Sequence, residues 1–153
     1  MATVVSEYTQ LLPAYPPGEI MFIDIPVSNI DRAMTFYRNV FGWQILPEFP
    51  PFPGRTEGIT SHYLFQKGNV AGCFTVMSDS KDVLQAGVVQ GSPKERVAFY
   101  LATENMDETL ANVEKYGGTV HRKMSLYEGK WGIAAQIIDS EGNFLGVGMP
   151  PKV

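Results

Sequence analysis

The sequence holds a single cysteine, Cys73, and only two histidines, His62 and His121. One cysteine excludes an internal disulfide, so packing alone must hold the fold, and a reducing, cytoplasmic setting is expected. Cys73 itself reads as a small apolar residue buried in a strand. Charge is sparse as well: Asp, Glu, Lys and Arg make up 18% of 153 residues, with a net charge of −4. No stretch clusters Lys and Arg, which argues against a nucleic-acid partner, because phosphate contacts need such clusters. No apolar run approaches the roughly 20 residues that cross a bilayer. The start MATVVSEYTQLL also lacks the basic and apolar regions of a signal peptide, so no leader and no membrane partner are expected. What is plentiful is apolar surface, 44% of residues, enough for a sizeable core and a subunit interface.

That apolar content is organised around residues 20–42. Met21, Ile23, Ile25 and Val27 alternate with Ile20, Phe22, Asp24 and Pro26, the period of a strand with two unlike faces. Ser28 and Asn29 offer side-chain oxygens to a helix start, and Asp31 places an anion in the first turn. Ile30, Ala33, Met34, Tyr37, Val40 and Phe41 follow at helical spacing, and Gly42 stops the helix. The unit then returns. Asn105-Met106-Asp107 repeats Asn29-Ile30-Asp31 seventy-six residues on, and Gly117-Gly118 repeats the stop. Gly68-Asn69-Val70-Ala71-Gly72 matches Gly142-Asn143-Phe144-Leu145-Gly146 at a spacing of seventy-four. Two matched segments in one order, at nearly one offset, identify an internal duplication.

Taken in order, residues 1–19 read as an irregular Pro-containing arm, 20–78 as a first module, 79–93 as a linker and 94–150 as a second module. In the first module a short strand over 43–46 ends at Pro47, and a Pro-rich loop follows to residue 60. Phe49 and Phe52 in that loop are expected to cap a pocket or core. A hairpin over 61–66 and 70–77 completes the module, and the linker carries a short helical turn at 81–85. The second module reads as strands over 95–102, 119–124, 132–139 and 144–149, with a helix over 106–116. Each half is therefore β-α-β-β-β, an α+β arrangement. A half of this size has too little core to stand alone comfortably, so the two are expected to pair around a shared concavity.

The runs FIDIPVSNIDRAMTFYRNVFGW, LATENMDETLANVEKYGGTV and IIDSEGNFLGV, in that order, resemble the vicinal oxygen chelate superfamily. This group includes glyoxalase I, the bleomycin-resistance proteins and the extradiol dioxygenases. The resemblance covers about residues 19–149. It implies two tandem βαβββ modules forming a cup-shaped, eight-stranded curved sheet, often within a homodimer. Members are lyases, isomerases, dioxygenases or binders without chemistry, so the fold fixes no reaction. Metal-using members place His, Gln or Glu in a module's first strand and in its last strand, just past the Gly-Asn turn. Carried onto this sequence, those positions are Phe22 and Ala98, and Gly72 and Gly146. None has a ligating side chain, whereas a divalent ion needs three or four donors. The resemblance therefore implies a member with no cofactor at the familiar metal site. An alternative is a displaced site that uses His62 or His121 with Asp24 or Glu128.

With Phe22 and Ala98 facing the cup, alternation brings in Asp24 and, at the repeat offset, Tyr100. Phe74 and Phe144 are expected to flank Gly72 and Gly146, whose missing side chains leave space at the floor. The expected site is an aromatic-walled cavity with one carboxyl and one phenol, suited to a hydrophobic or aromatic small molecule. Asp24 in an apolar strand needs a partner. It reads as a general base or hydrogen-bond acceptor working with Tyr100, or as a carboxylate that anchors the fold. Tyr100 also reads as a core aromatic with its hydroxyl at the cavity edge. The loop over 126–132, with Tyr127, Glu128 and Trp131, is expected to close over the opening; the alternative puts Trp131 at a subunit interface. The expected function is a metal-independent small-molecule protein, with or without isomerase- or lyase-type chemistry. A metal-dependent lyase or dioxygenase, or a sequestering resistance protein, are the alternatives.

Overall fold

The computed structural model describes residues 16–54, 57–83 and 97–151. The chain divides into two compact units, 1–83 and 84–153.

In the first unit β1 (Ile23–Val27) turns directly into α1 (Ile30–Phe41). Asn29 Oδ1 accepts the Arg32 N–H at 3.0 Å, and Gly42, at φ 68°, donates its N–H to the Arg38 carbonyl, so both helix ends are satisfied locally. Then come β2 (Gln44–Phe49), β3 (Ile59–Lys67), β4 (Val70–Met77) and a 3-10 turn at Ser80–Asp82. The sheet order is β1-β4-β3-β2, with β1 parallel to β4 and the other pairs antiparallel.

The second unit repeats this plan as β5 (Tyr100–Ala102), α2 (Met106–Lys115), β6 (Thr119–Ser125), β7 (Ile133–Ile138) and β8 (Phe144–Met149), in the order β5-β8-β7-β6. Asn105 caps α2 as Asn29 caps α1, its Oδ1 accepting the Glu108 N–H at 3.1 Å. The chain is thus two tandem modules of α+β type, as the repeat requires.

Each sheet turns one face to its helix. In the first unit that face carries Ile25, Val27, Phe65 and Phe74, all buried. Trp43 stacks on Phe65 at 4.2 Å and on Tyr37 at 4.5 Å, and Tyr37 reaches Phe74 at 5.2 Å. Each such side chain contributes about 1.5–3 kcal/mol on burial, so this aromatic cluster is the main support of the unit. The corresponding face of the second unit carries Leu101, Ala135, Ile137, Leu145 and Val147, with Met106, Leu110 and Val113 of α2 buried.

The elements differ from the sequence reading in four places. β1 begins at Ile23 rather than at residue 20, and β5 at Tyr100, with 97–99 unpaired and residues 95 and 96 outside the described residues. β2 continues through Pro47 instead of ending there. It is an edge strand, and its register shifts between Ile45 and Glu48, so the missing N–H costs no ladder bond. The 3-10 turn occupies 80–82 rather than 81–85. The arm over 1–15 and the linker over 84–93 lie outside the described residues.

The fourth difference reassigns a face. Asp24 pairs with Cys73 in β4, whereas Tyr100, its repeat equivalent, pairs with Gly146 in β8. Measured against the first strands, β4 and β8 are therefore related by seventy-three residues, not by the seventy-four of the glycine match. The turns before these strands differ too: Lys67 pairs with Val70 across two residues, while Ile138 pairs with Phe144 across five, tied by Asp139 Oδ1 to the N–H groups of Glu141 and Asn143. One residue of slip moves a side chain to the other face of a sheet. Gly72 and Phe74 consequently face α1 and not the side of Asp24, which corrects the expectation that they line the cavity.

A Cβ on Gly72 would stand 1.9 Å from the Ile23 carbonyl oxygen and 2.6 Å from the Phe65 ring, whereas one on Gly148 meets nothing within 4 Å. Gly72→Ala should therefore cost about 3 kcal/mol or more, because backbone cannot step aside. Gly148→Ala should stay within about 0.5 kcal/mol. Urea unfolding of the two variants checks this contrast.

Candidate functional site

The face opposite each helix is where the chemistry-bearing side chains gather. In the first unit the register brings together Asp24 of β1, Cys73 and Thr75 of β4, and His62 of β3. Thr75 Oγ1 donates to Asp24 Oδ1 at 2.5 Å and lies 3.2 Å from His62 Nδ1. Cys73 Sγ is 3.7 Å from both Asp24 Oδ1 and His62 Nδ1 and 3.6 Å from Thr75 Oγ1. His62 and Cys73 are fully buried and Thr75 nearly so, while Asp24 is exposed. Phe52 lies flat on the imidazole at 4.0 Å, and Phe49 meets Phe52 edge-on at 5.3 Å. The Pro-rich loop therefore caps this cluster, as its two phenylalanines suggest.

In the second unit Tyr100, Ala102, Met124, Ala134, Gln136, Gly146 and Gly148 share the face away from α2. A Cβ on Gly146 would fall 2.1 Å from the Tyr100 ring, so the glycine is the seat on which that ring lies. Gln136 Nε2 donates to the Tyr100 hydroxyl at 3.1 Å and fixes its far end. Beside the ring opens a cavity of about 410 Å³ lined by Tyr100, Ala102, Met124, Leu126, Trp131, Ile133, Ala134 and Met149, among others.

The loop between β6 and β7 forms one wall. Tyr127 and Glu128 adopt φ 51° and 57°, a left-handed pair, and the Leu126 carbonyl accepts the N–H groups of Gly129 and Trp131. Two consecutive non-glycine residues in this conformation cost about 1–2 kcal/mol each. Their effect is to aim Trp131, 66% exposed, at the cavity mouth, with the Tyr127 ring against it at 4.3 Å.

The expected residues thus separate. Tyr100 and Trp131 line the cavity, Gly146 supports Tyr100, Tyr127 backs Trp131, and Glu128 is an exposed turn residue. Phe144 shares the face of Gly146 and lies near the His121 ring at 6.0 Å. Phe22 and Ala98, half-buried, precede β1 and β5 and do not line this cavity. Thr75 and Gln136 carry no sequence signal of their own; only the register puts them beside Asp24 and Tyr100. Among the described residues no three His, Cys, Asp or Glu side chains form a set able to hold a metal ion. This donor set does not fit the divalent ion of metal-using members.

Two substitutions test this geometry. Gly146→Ala should dislodge the Tyr100 ring and break its bond to Gln136, seen as a changed Tyr100 ring environment by NMR in a protein that still folds. Glu128→Gly should stabilise the chain by about 1 kcal/mol, because glycine adopts a positive φ without strain; thermal unfolding measures it.

The model of the Glyoxalase/Bleomycin resistance protein/Dioxygenase superfamily matches residues 19–146. A glyoxylase-like domain-containing protein of Didymella fabae is 26% identical over 101 residues, 66% of this chain and 70% of that one. Among solved structures, a genomically encoded fosfomycin resistance protein of Listeria monocytogenes aligns with a TM-score of 0.61 at 10% identity, covering 88% of this chain and 94% of the other. A glyoxalase family protein of Enterococcus faecalis aligns at 0.60 and 18% identity, covering 86% and 98%. An antibiotic binding protein from a Streptomyces species aligns at 0.57 and 17%, covering 90% and 99%. At these identities the structures share a fold and nothing finer. No helix among the described residues is long and apolar enough to cross a membrane. With its duplicated β-α-β-β-β plan and a family match over most of its length, this chain belongs to the Glyoxalase/Bleomycin resistance protein/Dioxygenase superfamily.

Proposed function

We propose that this chain binds a neutral hydrophobic or aromatic small molecule in the cavity of its second unit. Acid–base chemistry of isomerase or lyase type would be carried by Tyr100 at this cavity, with Asp24 as the acid–base group of the corresponding face of the first unit. One observation supports the reading above the others: the cavity of about 410 Å³ is lined by eleven residues, of which only Tyr100 and Trp131 have a polar side-chain atom. The volume falls in the range of small-molecule sites. An ionised ligand group buried there would lose its hydration with no charge to replace it, which favours neutral ligands. Tyr100 and Trp131 offer ring faces for stacking, with an offset or edge-on aromatic partner preferred. The antibiotic-binding and resistance proteins of the same fold make a sequestering role, without turnover, the second reading; the uncharged lining is equally consistent with storage.

The test is a thermal-shift panel of neutral aromatic compounds, each paired with its carboxylate analogue. A neutral compound at a hundredfold excess over its Kd should stabilise the chain by about 2.7 kcal/mol. Trp43 is buried in the first unit, so ligand quenching of exposed tryptophan fluorescence reports Trp131. Trp131→Ala should weaken binding about tenfold, the loss of one aromatic contact of about 1.4 kcal/mol. Stronger binding of the carboxylates, or no change in Trp131→Ala, rejects the cavity as the site. Once a ligand is in hand, product formation that Tyr100→Phe abolishes supports catalysis, and its absence supports sequestration. Light scattering on the same samples reports whether the expected homodimer is the binding form.

A further inference from the structure

We propose that Asp24 is the exposed end of a proton relay, His62–Thr75–Asp24, that stores a proton on the buried imidazole and exchanges it at the sheet surface. The inference uses the reading of Asp24 as the acid–base group, and it adds the two residues that would supply that group. Its basis is the direction of the hydrogen bonds. A threonine hydroxyl has one proton, and the short bond to Asp24 Oδ1 takes it. Toward His62 Nδ1, 3.2 Å away, the Thr75 oxygen can then only accept, so this contact is a hydrogen bond when Nδ1 carries a proton, as in the imidazolium. The Cys73 thiol, 3.7 Å away, is the other group placed to donate to Nδ1. The bond made at one ring nitrogen decides where the imidazole proton sits.

In the loaded form His62 holds protons on both nitrogens. It passes the Nδ1 proton to Thr75 Oγ1 while Thr75 passes its own hydroxyl proton to Asp24 Oδ1. Asp24 then gives a proton to an acceptor at the sheet surface. The net transfer is one proton from His62 to that acceptor, leaving a neutral imidazole protonated at Nε2 and a carboxylate at Asp24. Run in reverse, the relay receives a proton that Asp24 abstracts. Neither direction needs an oxidant or a second substrate.

The surroundings suit storage. His62 and Thr75 are buried, so bulk water does not short-circuit the middle of the chain, and Phe52 covers the flat face of the imidazole. Among the described residues, the titratable groups that share this face with His62 are Asp24 from β1 and the Cys73 thiol from β4. From β2 it is paired with Phe49, which is apolar; Glu48 pairs with Tyr63 on the helix side of the sheet. Asp24 is therefore the anion on this face of the unit that can balance an imidazolium. Thr75 and His62 act through Asp24 and are positioning residues; Asp24 alone of the three is exposed at the sheet surface.

The experiment is a pH titration of ¹⁵N-labelled full-length protein, free of ligand, following the imidazole nitrogens by NMR. With two histidines in the chain, exposed His121 is the internal control. The expected result is that His62 loses its Nδ1 proton as the pH rises and keeps the one on Nε2. Its titration midpoint should fall by about one pH unit in Asp24→Asn, because the carboxylate that favours the cation is gone. Thr75→Val should uncouple His62 from Asp24 in the same way, and Thr75→Ser should restore the wild-type midpoint, with His121 unmoved throughout. A neutral His62 that keeps its proton on Nδ1 rather than on Nε2 overturns the relay, even if every variant fails to fold. So does a His62 midpoint that ignores Asp24→Asn, or a Thr75→Val indistinguishable from Thr75→Ser. These readings need no ligand, so a failure of the relay and a failure of the cavity to bind are separate results.

Discussion

The parallel pairing of the first strand of each unit with its last is the constraint on which the rest depends. Every other strand contact is a local antiparallel one that a hairpin could form alone. The β1–β4 and β5–β8 contacts close the unit over a long sequence separation, and they decide which residues face the helix. Set β1 one residue along β4 and Asp24 turns into the apolar core, while Ile25 leaves it for the polar face. The aromatic packing and the polar cluster are therefore two consequences of one register, and neither can be moved without the other.

The duplicated units solve the same problem with different materials. On the face away from the helix, the first unit sets a thiol, a hydroxyl and an imidazole beside a carboxylate. The second sets a phenol on a glycine and leaves an apolar cavity next to it. Duplication followed by divergence at matched positions gives one unit that can hold charge and another that excludes it. A polar group in the first unit is supported by neighbours that satisfy it, and the second avoids the cost by having almost none.

Much of this plan is legible in the sequence. The strand–turn–helix units, their asparagine caps and the duplication follow from periodicity and from short-range hydrogen bonds, which depend only on neighbours in the chain. Asp24 and Tyr100 stand out because a polar group interrupts an apolar alternation, and both do lie on the face away from the helix. The assignment of Gly72 and Phe74 fails for a physical reason. The five-residue match Gly-Asn-X-X-Gly identifies a strand start but carries no information on register against β1, which is set by tertiary packing. Thr75 and Gln136 are invisible for the same reason, since each matters only through a partner more than ten residues away, and His62 stands out only as a candidate metal ligand and not as the neighbour of Thr75.

Pro47 has a consequence beyond its own strand. β2 is an edge of its sheet, and an open edge is a template on which another extended chain can add. A proline there removes one donor, and the register shift beside it twists the backbone out of line with any incoming strand. The residue that looked like a terminator thus serves as a guard: it lets β2 complete the sheet while discouraging the edge-to-edge growth that leads apolar-rich chains to aggregate.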